Sequence, residues 1–379
     1  MSRVKLGDVA FEHKETCKAD RDEYPVVGLE HLTPEEVALE NWDENKDNTF
    51  TKMFRKGNIL FGRRRAYLKK AAIAPFDGIC SGDITVIEAN PDRILPELLP
   101  FIIQNDSFFD YAVEKSAGSL SPRVKWEHLK NYEFELPNMD KQHELADLLW
   151  AMHTTKKSYQ KLISATDELV KSQFMEQFGD FKTNPKGIEI TTIDQLFSVG
   201  SSKRVFQKDW KSSGVPFYRA REIVKLSEQG FVDNELFITE EMYKEYAARY
   251  GVPQPGDIMV TGVGTLGICY LVKPTDRFYY KDGNTLCFHS LGRIDSRFVV
   301  ECYKMPFIRK QIEANAGGST VGTYTIETAC KTRIFNPPLD EQKKFLEIVQ
   351  QSDKSKFELE QALSELTATY KHLISESLG

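Results

Sequence analysis

Apolar positions fall into two alternating regimes along the chain. For about 135 to 150 residues they come as short strand-like runs broken by Gly, Pro and Asn; then they recur every three or four residues. The first such stretch predicts a helix from Asp140 to Phe178, with Leu145, Leu148, Leu149, Met152, Tyr159, Leu162, Ile163, Thr166, Leu169, Val170 and Phe174 on its stripe. The second predicts a helix from Leu339 to Leu378, carrying Phe345, Ile348, Val349, Leu359, Leu363, Leu366, Tyr370, Leu373 and Ile374. The 3–4 alternation is that of a coiled-coil seam, which Lys156 and Lys356 interrupt at matching places. A helix near 37 residues spans roughly 55 Å at 1.5 Å per residue, more than one small domain covers. Two such helices are expected to pack on each other, antiparallel.

The two regimes occur twice because the chain is duplicated at an offset of about 200 residues. "KGNILF" (56–61) answers "PGDIMV" (255–260), and "CSGDITVI" (80–87) answers "KDGNTLCF" (281–288). "SAGS" (116–119) answers "AGGS" (316–319), and the segment from Phe134 answers the one from Phe335. The expected fold class is α+β: two tandem mixed α/β domains, each followed by a long helix, with the helices forming an antiparallel coiled coil of pseudo-twofold symmetry. The expected boundaries are 1–139 for domain one, 140–178 for its helix, 179–187 for a linker ("GDFKTNPKG"), 188–338 for domain two and 339–379 for the last helix.

Composition narrows the classes. The 379 residues suit two or three domains. No apolar run approaches the roughly 20 residues that cross a bilayer, and "MSRVKLGDVAFEHK" lacks a signal-type core, so a cytoplasmic protein with no membrane role is expected. The six cysteines are scattered, with no C-x-x-C pair and no grouping with histidines, so no metal site is expected. Net charge is −6, which argues against simple coating of nucleic acid, yet Asn48 to Phe76 holds eight Lys and Arg and no acid.

Several motifs invite chemistry and fail on context. Gly262, Gly264 and Gly267 have the G-x-G-x-x-G spacing, and Asp282 lies where a ribose-binding acid would stand. A dinucleotide loop must open a helix at its third glycine; here "ICYLVKP" follows, which reads as a strand. "NPPL" (336–339) resembles the base-holding loop of DNA amino-methyltransferases, but Leu339 stands where an aromatic would stack on the base. A proline hinge opening the long helix is the simpler reading. No catalytic constellation is present, and no cofactor is expected.

The basic stretch remains. "FGRRRAYLKK" (61–70) reads as strand and turn, and period 2 places Arg63, Arg65, Tyr67 and Lys69 on one face, with Arg64 and Lys70 on the other. Such a face suits phosphates and guanine edges. In the second half, "SSKRVFQKDWKSSGVPFYRARE" (201–222) brings Lys203, Arg204, Arg219 and Arg221 among Trp210, Phe217 and Tyr218; core packing is the usual fate of such aromatics, but the interleaved cations favour nucleic-acid contact here.

Four stretches, "GNILFGRRRAYLKKAAIAPFDGICSGDI" (57–84), "SAGSLSPRVKWEHLKNYEFELP" (116–137), "DELVKSQFMEQFGD" (167–180) and "PFYRAREIV" (216–224), come in the order of a known family. The chain resembles the DNA-specificity subunit of type I restriction–modification systems over essentially its whole length. The resemblance implies a non-catalytic reader of double-stranded DNA, with one target-recognition domain for each half of a split, asymmetric site. The helices would set the gap, on the order of one duplex turn, ~34 Å. They would also dock two methyltransferase subunits, which carry the methyl donor, and motor–nuclease subunits would join. Carried over, the DNA-binding positions are Arg63, Arg64, Arg65, Tyr67, Lys69, Lys70, Ser119, Arg123 and Lys125 in the first domain. In the second they are Arg219, Arg221, Thr261, Gly262, Gly264, Thr265, Ser319, Thr320 and Tyr324, and the basic stretch itself adds Lys203 and Arg204. Three other readings stay open: the same architecture in a fused restriction–methyltransferase system, a self-sufficient methyl-donor-dependent methyltransferase, and a protein-binding adaptor without a DNA role.

Overall fold

The computed structural model describes residues 2–18, 23–44, 49–233, 235–315 and 322–378. They form two compact units, residues 1–163 with 357–379 and residues 164–356, so each unit takes part of both long helices.

In the first unit, Ile59–Gly62 is a β-branched and aromatic run that pairs antiparallel with Ala71–Ile73 on one side and Ile84–Ala89 on the other. Ala10–Glu12 completes the sheet beyond Ile84–Ala89. In the second unit Ile258–Thr261 pairs with Cys269–Leu271 and Thr285–Ser290, and Phe197–Gly200 completes that sheet. The registers correspond: Ile59 faces Ile87, and Ile258 faces Phe288. A second small sheet also recurs, with Val26–Val27 parallel to Gly78–Cys80 and Val215–Tyr218 parallel to Tyr279–Tyr280. Both copies close with an antiparallel pair, Ser2–Lys5 on Glu133–Leu136 and Ile190–Thr192 on Arg333–Phe335. The duplication read from weak sequence matches is therefore a duplication of strand order and register.

The long helices run Met139–Phe178 and Leu339–Leu378. Inside the first unit they pair antiparallel, since Leu145 and Leu149 share a core with Ile374 and Leu378. Inside the second, Phe174 and Phe178 meet Phe345, and Ser352 Oγ donates to the Thr166 carbonyl. The seam is narrower than its sequence pattern. Leu148, Leu162 and Leu169 are about half exposed, while His153, outside the apolar stripe, is buried. The seam lysines find acids: Lys156 lies 3.3 Å from Glu36, and Lys356 lies 2.9 Å from Asp167.

Each helix starts at a proline hinge, read from the sequence at Pro337–Pro338 and found also at Pro137. Gln142 and Gln342 secure the two hinges identically. Gln142 Nε2 donates to the Pro137 carbonyl and its Oε1 accepts the Leu95 amide, each at 2.8 Å. Gln342 does the same with the Pro337 carbonyl at 2.7 Å and the Asp295 amide at 2.9 Å. No helix among the described residues is long and apolar enough to cross a membrane.

Candidate nucleic-acid interface

The basic stretch does not continue as a strand. The Gly62 amide donates to the Lys70 carbonyl at 2.9 Å, closing the hairpin, so residues 63 to 69 form its loop. Arg65 and Lys69 take left-handed backbone angles (φ 56° and 50°) around a single helical turn, Ala66–Leu68. The two-faced reading of Arg63, Arg65, Tyr67 and Lys69 is thus corrected, because pleated alternation needs extended backbone. The loop exposes Arg65, Tyr67 and Leu68 and half-buries Arg63, Arg64, Lys69 and Lys70.

Three segments meet at this loop. The Arg63 amide donates to the Asp83 carbonyl, and the Val124 amide donates to the Arg63 carbonyl, both at 3.0 Å. The Arg65 amide donates to the Pro122 carbonyl at 2.9 Å, and Ala117 and Arg123 exchange backbone bonds across the neck of the 117–123 loop. Side chains tighten the same junction. Arg123 Nε lies 2.7 Å from Asp83 Oδ1, Arg64 Nη1 lies 3.4 Å from Asp83 Oδ2, and Arg64 Nε donates to Ser121 Oγ at 2.6 Å. Arg123 above all, with Arg64 and Arg63, outweighs partial burial and holds the Asp83 carboxyl below its ordinary range. Ser119, Arg123 and Lys125 are exposed beside it, and Leu120 at the loop tip is 91% exposed. Lys69 is paired with Asp106, and Lys70 Nζ donates to the Leu29 carbonyl at 2.7 Å, so both anchor the loop to its own domain.

The second unit repeats the junction with different side chains. The Gly262 amide donates to the Asn284 carbonyl, and the Tyr324 amide donates to the Gly262 carbonyl, both at 2.9 Å. Gly262 stands in the place of Arg63, Asn284 in that of Asp83 and Tyr324 in that of Val124. No helix follows the third glycine; Cys269–Leu271 is a strand, as its residues predict. Asp282 is bound to Arg204, with Nε 2.9 Å from the carboxylate. Thr261 is buried; its Oγ accepts the Ile268 amide at 2.9 Å and donates to the Thr265 carbonyl. Gly264 and Thr265 are exposed at the tip. The Tyr324 ring is buried, with its hydroxyl 2.9 Å from Tyr303 Oη and 2.7 Å from Thr332 Oγ1. Ser319 and Thr320 lie outside the described residues.

The other predicted cations of this unit, Lys203, Arg219 and Arg221, have partners. Arg219 grips Glu222 through Nε at 3.1 Å and Nη2 at 2.8 Å, and Arg221 joins the same carboxylate and also Glu235. Burial alone would raise the Glu222 carboxyl, but Arg219 and Arg221 outweigh it and keep the group below its ordinary value. Lys203 Nζ sits 5.6 Å from the Tyr250 ring centre. Phe217 is buried and Trp210 half-buried in a small core, and Tyr218 packs on Phe278. Neither Asp83 nor Glu222 is among the positions read from the sequence, and nothing local ties Asp83 to arginines 19 and 40 residues away.

Among the described residues one set of ligand-type side chains converges, contrary to the reading that histidine and cysteine do not group. Cys287 and His289 share a face of their strand, and Asp257 approaches both. Asp257 accepts His289 Nδ1 at 2.7 Å and the Gln254 and Ser290 amides at 2.8 and 3.0 Å, so its oxygens are engaged in capping a turn. Asn58, its counterpart, caps the Arg55 amide in the first unit. A cleft of about 850 Å³ flanks the glycine turn, but Arg297 and Lys304 on its wall are neutralised by Asp353 and Glu301.

One fold built twice, with an equivalent backbone junction on each copy, defines a duplicated recognition scaffold. The chain matches the family model of the type I restriction modification DNA specificity domain over residues 1–164 and 185–367, and it belongs to that family, with two such regions. It is 26% identical over 165 residues to a Haemophilus influenzae protein named as a type I restriction enzyme specificity subunit, covering 42% of this chain and 40% of that protein. It is 22% identical over 277 residues to the MjaIX specificity subunit of Methanocaldococcus jannaschii, covering 68% and 62%. The matched stretches therefore span less than two thirds of either relative. Among solved structures, the S subunit of a type I restriction–modification system from M. genitalium superposes with a TM-score of 0.60 at 14% identity, over 100% of this chain and 96% of that one. A chain from a structure concerned with assembly and conformational transition of the type I system gives 0.60 at 16% identity, over 99% and 97%. At these identities the likeness is one of fold.

Proposed function

We propose that the chain is the non-catalytic DNA-specificity subunit of a type I restriction–modification complex. The first unit reads one half of a gapped, asymmetric site through the Arg63–Lys70 and Ala117–Lys125 loops, where Arg65, Tyr67, Arg123 and Lys125 are presented to duplex DNA. The second reads the other half through the turn Thr261–Gly267, with Thr265 and the backbone of Gly264 at its tip. The long helices serve as the spacer between half-sites. Half-exposed Leu148, Leu162, Leu169 and Phe357 on these helices suit the docking of two methyltransferase subunits, which carry the methyl donor; motor–nuclease subunits complete the complex. The complex acts in the cytoplasm.

The observation that carries this reading is the junction made twice with one backbone pattern and two chemistries. Arginines meet phosphate and guanine edges, whereas a neutral glycine turn allows close backbone approach to a different sequence. A genome-wide map of methylated adenines, made with the gene intact and deleted, tests it. A gapped motif should vanish on deletion; a map holding such a motif in both strains would sink the assignment.

A further inference from the structure

We infer that Asp83 is a positioning residue for half-site recognition: its carboxylate fixes Arg64 and Arg123, one from each loop of the first unit, and holds back their charge from non-cognate DNA. This rests on the DNA-reading function proposed above and adds to it the residue that sets the balance between affinity and discrimination.

Three observations converge. Asp83 contacts both arginines at once, through Arg123 Nε–Oδ1 (2.7 Å), Arg123 Nη2–Oδ2 (3.3 Å) and Arg64 Nη1–Oδ2 (3.4 Å). The Asp83 side chain is 19% exposed, against 39% for Arg64 and 44% for Arg123, so the acid lies beneath the two cations. The second copy separates fold from function. Asn284 stands at the equivalent place and makes the same carbonyl bond to the loop amide. The backbone junction therefore needs no carboxylate. Where the loop carries arginines the position is acidic; where the loop carries glycines it is neutral.

Two arginines without an acid would bind any phosphate backbone, because non-specific affinity is set by the cations free to displace counterions. Anchored on Asp83, each guanidinium has a restricted direction and exchanges its acid for a base edge or phosphate only where the geometry matches. The carboxylate thus lowers general affinity and raises selectivity.

The test uses the full chain and its Asp83→Asn variant, with two probes: a duplex holding the gapped motif mapped in the source cell, and a random-sequence duplex of equal length. Asp83→Asn should bind the random duplex several-fold more tightly, with a salt dependence steeper by about one to two released ions. Its preference for the correct first-unit half-site should fall on the order of tenfold, while discrimination at the other half-site stays. These opposite movements separate positioning from a structural role, since a destabilised domain loses both affinities together. Parallel loss, or unchanged preference, would overturn the inference. Should Asp83→Asn not fold, Asp83→Glu serves: charge is kept and reach altered, so random-duplex affinity should hold while first-half-site preference drops, and an unchanged preference again overturns it. If the wild-type chain itself shows no preference for the mapped duplex, the DNA-reading proposal fails instead.

Discussion

Gly262, Gly264 and Gly267 share one loop for unlike reasons. Gly264 has φ 71° with open space around it, whereas Gly267 has φ 73° and an added Cβ would lie 2.4 Å from Ile312 Cδ1. Gly264→Ala should therefore cost about 1 kcal/mol of backbone strain, and Gly267→Ala about 2 kcal/mol or more, because packing must shift as well. Urea unfolding of the two variants checks the order. Arg65 is exposed, and its amide is held by the Pro122 carbonyl. Arg65→Ala should weaken binding to one half-site by about 1–3 kcal/mol and leave the other unchanged in competition binding with singly altered sites; equal losses at both would refute modular reading. The glycine turn was legible in the sequence because a strand-forming run follows it directly. The form of the arginine loop was not, since a distant carbonyl bond and two left-handed residues decide where the strand stops.

At the scale of elements, the hinge glutamines show how much a helix start depends on one side chain. Gln142 and Gln342 are 2% and 1% exposed, and each satisfies a proline carbonyl and a loop amide. Replacing either with Ala buries two unpaired polar groups, an expected cost of about 2 kcal/mol in chemical unfolding, alike at both sites. A pH dependence arises in the first long helix. His153 is 8% exposed, and burial pushes its imidazole below the usual histidine value of about 6.5. Since the folded value lies below the unfolded one, the stability linked to neutral His153 is present above about pH 6.5 and lost as pH falls through the folded value. Melting temperature should fall from pH 7.5 to 5.5, and His153→Gln should flatten that slope. Asp83, Glu222 and Glu36, all held below their ordinary values, add their own loss only below about pH 4. The long helices were visible in the sequence because their apolar period persists for many turns. Their seam was misread at Leu148, Leu162 and Leu169, because periodicity marks a stripe but not how much of it a partner helix covers.

At the scale of the whole molecule, a spacer role for the long helices predicts a change in gap without a change in half-sites. Removing one heptad from each helix shortens them by about 10 Å and rotates the seam by only about 20°. Adenine methylation by the complex should move to a site whose gap is about three base pairs shorter, at 3.4 Å per step, with both half-sites retained. Altered half-sites with an unchanged gap would rule out the spacer.

The sequence by itself determined what is local or periodic: the duplication, the proline hinge before the second long helix, the two long helices and the strand after the glycine turn. Each depends on the order of residues within one element or on the same order recurring 200 residues later. Only the tertiary structure decided which charges meet. Asp83 finds Arg64 and Arg123 from distant segments, and Lys69 and Lys70 turn inward to Asp106 and Leu29. Charged side chains pair by proximity in space, which the folded backbone sets and which no run of neighbouring residues encodes.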